Sequence, residues 1–151
     1  MWLYLGAALV YALDRGTKLW AEHALHGRPP ITLIPDVLRL TYTTNSGGAF
    51  GLGQSAPWIF ATATFLVAIA IIVASARLSR LATALGLGSI LGGALGNLTD
   101  RLVHGHGFLA GRVIDFIDFH VWPVFNVADA SIVVGALFLL LVGLRDEREE
   151  R

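Results

Sequence analysis

The chain has no cysteine, one methionine, one lysine, and charge on only 15% of its residues. Without cysteine there is no disulfide, no thiolate nucleophile and no thiolate metal site, and nothing from which to read a redox compartment. A soluble domain is ~25% charged. The shortage of charge, with 55% hydrophobic residues and a mean hydropathy of +0.66, therefore points to a membrane. Eleven basic residues balance eleven acidic ones, and a net charge of zero argues against nucleic acid as a partner. The length of 151 residues is one domain's worth. Repeats and low-complexity tracts are also lacking, and only residues 145–151 read as a solvated tail.

Four apolar runs stand out. The first covers Trp2–Leu13 and continues, with charges, to about Ala21; Trp58–Ala76 and Leu81–Leu98 are uncharged; the last runs from about Val127 to Leu144. At 1.5 Å per residue each reaches ~27–30 Å, enough to cross a ~30 Å hydrocarbon core. The first run lacks a basic leader, and Asp14-Arg15 follows it where a cleavage site needs small residues. It is expected to be a retained span rather than a signal peptide. Spans at about 2–21, 58–76, 81–98 and 127–144 put both termini on one side, and segments 22–57 and 99–123 on the other. With Arg15, Lys18 and Arg101 near the helix ends on the opposite side set apart as functional, positive charges favour cytoplasmic termini: Arg77, Arg80, Arg145, Arg148 and Arg151 there against Arg28, Arg39 and Arg112 opposite.

Segment 22–57 is too long for an idle connection. Ile31–Ile34 and Val37–Thr43 are β-branched and aromatic, with Pro35-Asp36 between them as a turn, and Val113–Phe119 is a third candidate strand. A small sheet on the membrane surface is the economical picture. Residues 46–57, glycine-rich yet carrying Phe50 and Leu52, read as a segment that orders over a bound peptide.

Ionisable and amide side chains gather at the span ends. Asp14 and Lys18 share a helix face at i, i+4 and can pair, while Arg15 is expected to snorkel to headgroups. Asn97 and Arg101 are again i, i+4, and Asn126 and Asp129 are i, i+3, where capping of a helix start is the plainest role for Asn126. A strand would aim Asp115 at one face with Val113 and Ile117, leaving Asp118 on the other, solvated or paired with Arg112. His104 and His106 make a pair without a third ligand, so no metal site is expected. Gly88, Gly92 and Gly96 form small-xxx-small patterns suited to close helix packing.

The motifs Asp14-Arg15-Gly16-Thr17-Lys18, Asn45-Ser46-Gly47-Gly48-Ala49-Phe50, Gly96-Asn97-Leu98-Thr99-Asp100-Arg101, Val113-Ile114-Asp115-Phe116 and Phe125-Asn126-Val127-Ala128-Asp129, in that order, resemble the lipoprotein signal peptidase (signal peptidase II) family. Gly48 departs slightly from a motif that often reads Asn-x-Gly-Ala-Ala-Phe. The resemblance implies one integral-membrane peptidase domain over residues 1–151. Its fold would be an all-α membrane protein: four transmembrane helices, a small periplasmic β-sheet cradle, and a short amphipathic loop or helix over the site. It further implies a monomeric aspartic endopeptidase of the bacterial inner membrane, with cytoplasmic termini and a periplasmic site. The substrate would be a diacylglyceryl-modified prolipoprotein, cut before the lipidated cysteine, with membrane lipids and globomycin-type inhibitors as further ligands and no cofactor. Asp115 and Asp129 match the family's catalytic pair, and Asp14, Lys18, Asn45, Asn97, Arg101 and Asn126 match positions that bind substrate or support the site.

Two carboxylates held together cannot comfortably both ionise, so they share a proton and can activate water. A small transporter would also bury acids, but nearer mid-membrane than the span ends used here. A helix-pairing scaffold explains the glycines and gives no reason for Asp115 and Asp129 to converge.

Overall fold

A computed structural model describes residues 1–47, 56–105 and 111–149 of the chain. Four long helices dominate: α1 (Trp2–Leu25), α2 (Pro57–Ser75), α3 (Leu81–Val103) and α4 (Val127–Glu149). Three strands, β1 (Ile31–Ile34), β2 (Leu38–Asn45) and β3 (Val113–Asp118), form an antiparallel sheet in the order β1-β2-β3. By length and composition α2, α3 and α4 are apolar enough to cross a membrane. The expected strands and their connecting turn are present. Most of the glycine-rich segment expected to order over a bound peptide, residues 48–55, lies outside the described residues, as does His106.

Local chemistry sets the element ends. Helix α1 stops before Gly27, whose φ of +69° is left-handed, and Pro29-Pro30 then forbids helix. Pro57 opens α2 at its first position, where a missing N–H costs nothing. Asp36 takes φ 58° in the β1–β2 turn, a conformation Asp tolerates better than most residues. Along β2 and β3 the register shifts between Leu40 and Thr43: three residues advance on β2 against two on β3. That bulge adds local twist just before Thr43 meets Asp115.

Helix α3 is the centre of the bundle, and its glycines explain why. Apolar burial does not drive helices together in lipid, so close backbone contact must do so. Gly88 and Gly92 lie against the backbone of Leu3 and Ala7 on α1, and Gly96 lies against Asp14, so the predicted stripe is the α1 contact. Gly86 and Gly93 form a second stripe that receives α4 at Leu139 and Ala128. At one end the N-terminus, the α2–α3 turn and the end of α4 gather, tied by a Tyr4–Ser75 hydroxyl bond of 2.9 Å and an Arg80–Asp146 ion pair. The sheet and the acidic residues of interest lie at the other end.

A methyl group added at Gly92 would stand 2.5 Å from the Ala7 carbonyl oxygen, whereas one at Gly143 would meet nothing within 4 Å. Gly92→Ala is therefore expected to cost about 1–3 kcal/mol by overpacking and to lower the apparent Tm in detergent. Gly143→Ala should leave Tm unchanged or slightly raised. Scanning fluorimetry of both variants checks the contact; equal melting would contradict it.

Candidate active site

Lys18 is fully buried; it donates to Asn97 Oδ1 at 2.9 Å and forms ion pairs with Asp14 Oδ2 at 3.0 Å and Asp100 Oδ2 at 2.8 Å. The predicted Asp14–Lys18 pair is thus one edge of a larger cluster joining α1 to α3. Asp14 Oδ1 also accepts the Ala128 N–H at 3.1 Å, a free donor in the first turn of α4. Arg15 does not snorkel. Its guanidinium pairs with Asp100, because a buried carboxylate one helix away is a stronger partner than a headgroup.

Lys18 also orients Asn97. An ammonium can only donate, so it takes the amide oxygen and turns the NH2 group the other way. That group donates to Asp129 Oδ1 at 2.7 Å. Asn126 stands immediately before α4 and does two jobs. Its Oδ1 accepts the Asp129 N–H at 2.9 Å while Asp129 Oδ2 accepts the Asn126 N–H at 3.3 Å, a reciprocal capping box. Its Nδ2 donates to Asp115 Oδ1 at 2.7 Å and to the Ile114 carbonyl at 3.2 Å. The cap expected from sequence is therefore present, and the same amide links the two aspartates.

Asp115 and Asp129 line one cavity of about 340 Å³. Asn45, Asn97 and Arg101 contribute polar wall, and Phe60 of α2 with Ile132 and Val133 of α4 contribute apolar wall. Val113 faces the cavity with Asp115, as strand parity predicts. Burial pushes the Asp115 carboxyl up to about 7, helped by the negative charge of Asp129. Hydrogen bonds from Asn126 and Asn45 and the charge of Lys18 hold it from going further.

Arg101, 5% exposed, donates to the carbonyls of Ser46 at 3.2 Å and Gly47 at 2.7 Å, and lies 5.8 Å over the Phe60 ring. It thus fixes the backbone just past β2. Asn45 Oδ1 adds a turn there by accepting the Gly47 N–H at 2.9 Å. The residues singled out from sequence form one connected site, with Asp14 and Lys18 beneath the cavity wall.

Asp118 is a correction. It is buried rather than solvated, and its ion pair is with Arg39 at 2.6 Å rather than with Arg112. The register explains it, since Arg39 is the cross-strand partner of Asp118. His104 Nδ1 lies 3.5 Å from Asp100, and no group of three or more metal-capable side chains occurs among the described residues. Sequence reasoning gave Asp100 no role of its own. Its spacing of three from Asn97 puts it near the same helix face and was the available signal.

A family model described as "Signal peptidase (SPase) II" matches residues 6–145. A lipoprotein signal peptidase of Desulfitobacterium hafniense is 41% identical over 154 aligned positions, covering 100% of this chain and 97% of the relative. One from Rhodococcus jostii is 39% identical over 94% of this chain and 72% of the relative. Two solved structures described as bacterial membrane enzymes superpose with TM-scores of 0.83 and 0.80 at 25% and 28% identity. They match 99% and 95% of this chain, and 91% and 93% of their own.

Asp118 does not line the cavity, and its partners are Arg39 and the His120 N–H. Asp118→Asn should keep at least half of wild-type activity. Loss of an ion pair whose arginine is partly exposed should lower stability by roughly 0–1 kcal/mol. Activity and melting measured on one preparation check this; inactivity in a folded variant would show that Asp118 belongs to the site.

Proposed function

This chain belongs to the signal peptidase II family, and from that premise we propose how it removes signal peptides from prolipoproteins. Asp115 and Asp129 are the catalytic pair. The observation that carries this reading is the Asn126 amide, which donates to Asp115 at 2.7 Å and accepts from the backbone of Asp129 at 2.9 Å beside a cavity lined by both carboxylates. Asn126 holds the acids together, and the second acid's charge keeps a proton on the pair. The ionised carboxylate takes a proton from water, and the resulting nucleophile attacks the scissile carbonyl. The protonated carboxyl donates to that carbonyl oxygen and later helps protonate the leaving amine. The dyad titrates as a unit, so neither residue has a fixed role.

Asn97 supports Asp129, Asp14 and Lys18 hold Asn97 and the start of α4, and Asn45 and Arg101 shape the polar wall. The apolar wall at Phe60, Ile132 and Val133 suits a signal peptide and the acyl chains of a diacylglyceryl cysteine, with cleavage before that cysteine. Helix α1 is the fourth span. Its Asp14 and Lys18 are hidden inside the bundle, while Leu5, Leu9 and Leu13 face outward as a lipid-exposed stripe. The remainder of this reading is a monomer in the bacterial inner membrane with cytoplasmic termini. The site faces the periplasm, and globomycin-type peptides compete for the cavity.

Asp115→Asn and Asp129→Asn should each abolish the gel shift of a purified diacylated prolipoprotein, a loss of at least ~10²-fold, while the variants still insert and melt cooperatively. Cleavage by either folded variant would refute the dyad.

The pH profile gives a second check. When the pair takes up a second proton at low pH the base is lost; as pH rises through about 7 the shared proton leaves and the acid is lost. A bell-shaped dependence of kcat/KM with its alkaline limb near that value is expected, whereas activity rising steadily to pH 9 would contradict a shared proton.

A further inference from the structure

Asp100 is fully buried beside the dyad, lies outside the cavity lining, and has no part in the chemistry above. We propose that Asp100 is a positioning residue for Asp115: clamped by Lys18 and Arg15, it grips the Ile114 N–H and so fixes where the next side chain stands. The proposal rests on the dyad reading.

One side of β3 pairs with β2, and among the described residues the other side has no neighbouring strand along Val113–Asp115. An edge normally leaves its N–H and C=O groups to water, but Ile114 is 1% exposed and an unmatched buried donor is costly. Side chains replace the missing strand. Asp100 Oδ2 accepts the Ile114 N–H at 3.2 Å, and Asn126 Nδ2 donates to the Ile114 carbonyl at 3.2 Å. Further along, Phe116 and Ile117 donate to the Phe125 carbonyl at 3.0 and 2.8 Å. The two peptide groups flanking Ile114 are thus held from α3 and from the start of α4, and the second of them leads into Asp115.

Asp100 is itself immobilised. Lys18 lies 2.8 Å from Oδ2, while Arg15 and His104 Nδ1 approach Oδ1. The chain entering β3 is also strapped to the last turn of α3, by Gly111 N–H to the Arg101 carbonyl at 3.1 Å and Arg112 N–H to the His104 carbonyl at 2.9 Å. A displacement of Asp100 therefore passes through one peptide unit to a reacting carboxylate. Misplacements on the scale of 1 Å cost about 10²-fold in rate.

The same carboxylate balances charge. Lys18 and Arg101 are the cations that act on the dyad, and Asp100 is in turn surrounded by Arg15 and Lys18 from α1, with Asp14 beside Lys18, and by Arg101 and His104 from its own helix. Neutralising Asp100 leaves Lys18 and Arg15 less compensated, and added positive field favours ionised Asp115.

Two substitutions separate geometry from charge. Asp100→Asn keeps an acceptor near Ile114 and removes the charge; Asp100→Glu keeps the charge and displaces the acceptor. In full-length enzyme with a diacylated prolipoprotein, Asp100→Asn should move the alkaline limb of the kcat profile to lower pH by about half to one unit. Asp100→Glu should leave the limb in place, lower kcat by about 10–100-fold with KM within about twofold, and shift the Ile114 amide proton in NMR spectra. If Asp100→Asn fails to fold, Asp100→Glu still decides through its kcat–KM split and that amide signal. Wild-type kcat with an unmoved Ile114 amide in folded Asp100→Glu would overturn the proposal. So would both variants folded yet as dead as Asp115→Asn, which would make Asp100 catalytic. Parallel Asp115→Asn and Asp129→Asn controls separate the two readings, since activity in either control refutes the dyad whatever the Asp100 variants do.

Discussion

Three donors on one ammonium hold together the end of the molecule that matters. Lys18 is the only lysine in the chain and is wholly enclosed. A buried charge is tolerable only if it is paired and fully hydrogen-bonded. Asp14 and Asp100 supply the pairing and Asn97 a hydrogen bond, and each is then committed to something else: Asp14 to the first turn of α4, Asp100 to the backbone of β3, Asn97 to Asp129. The ammonium's three partners stand outside the dyad, yet Asp100 and Asn97 carry its hold on to the strand before Asp115 and to Asp129 itself. Losing Lys18 would leave Asp14 buried without its cation and Asp100 with Arg15 as its remaining α1 partner, so its cost belongs to folding as well as to chemistry.

Order then passes outward through two amides. Asn97 is turned by Lys18, and Asn126 is turned by its capping role, because its oxygen is taken by the Asp129 N–H and its NH2 is left for Asp115. A helix cap and the strut between Asp115 and Asp129 are the same side chain. This economy places the acid from β3 and the acid from α4 on one frame, with the β2 bulge and Arg101 shaping the opposite wall. The glycine stripes of α3 serve the same end, since α1 and α4 must approach α3 closely for Lys18 and Asn126 to reach their partners.

Much of this was legible in the residues. Apolar run length gave the long helices, and β-branched patterning with a Pro-Asp turn gave the strands, because both signals are local. The i, i+4 pair Asp14/Lys18 and the i, i+3 pair Asn126/Asp129 were readable for the same reason. What was not legible depended on contacts between distant segments. Arg15 reads as a headgroup anchor until Asp100, 85 residues away, is seen beside it. Asp118 reads as solvated until β2 supplies Arg39 across the sheet. Asp100 hid behind Arg101, its more conspicuous neighbour, because its partners come from α1 and β3. Helix α1 runs to Leu25, beyond the apolar stretch, because Ala21 and Leu25 pack against Phe116 of β3.

The account stands or falls on whether the two aspartates hold one proton between them at neutral pH. Infrared difference spectroscopy of the detergent-solubilised enzyme reads this directly through the C=O stretch of a protonated carboxyl group. At pH 6 wild-type protein should show one such band, lost as pH rises through about 7, and Asp115→Asn should lack it. A wild-type spectrum with no protonated carboxyl at pH 6, or one whose band survives unchanged in Asp115→Asn, would contradict it.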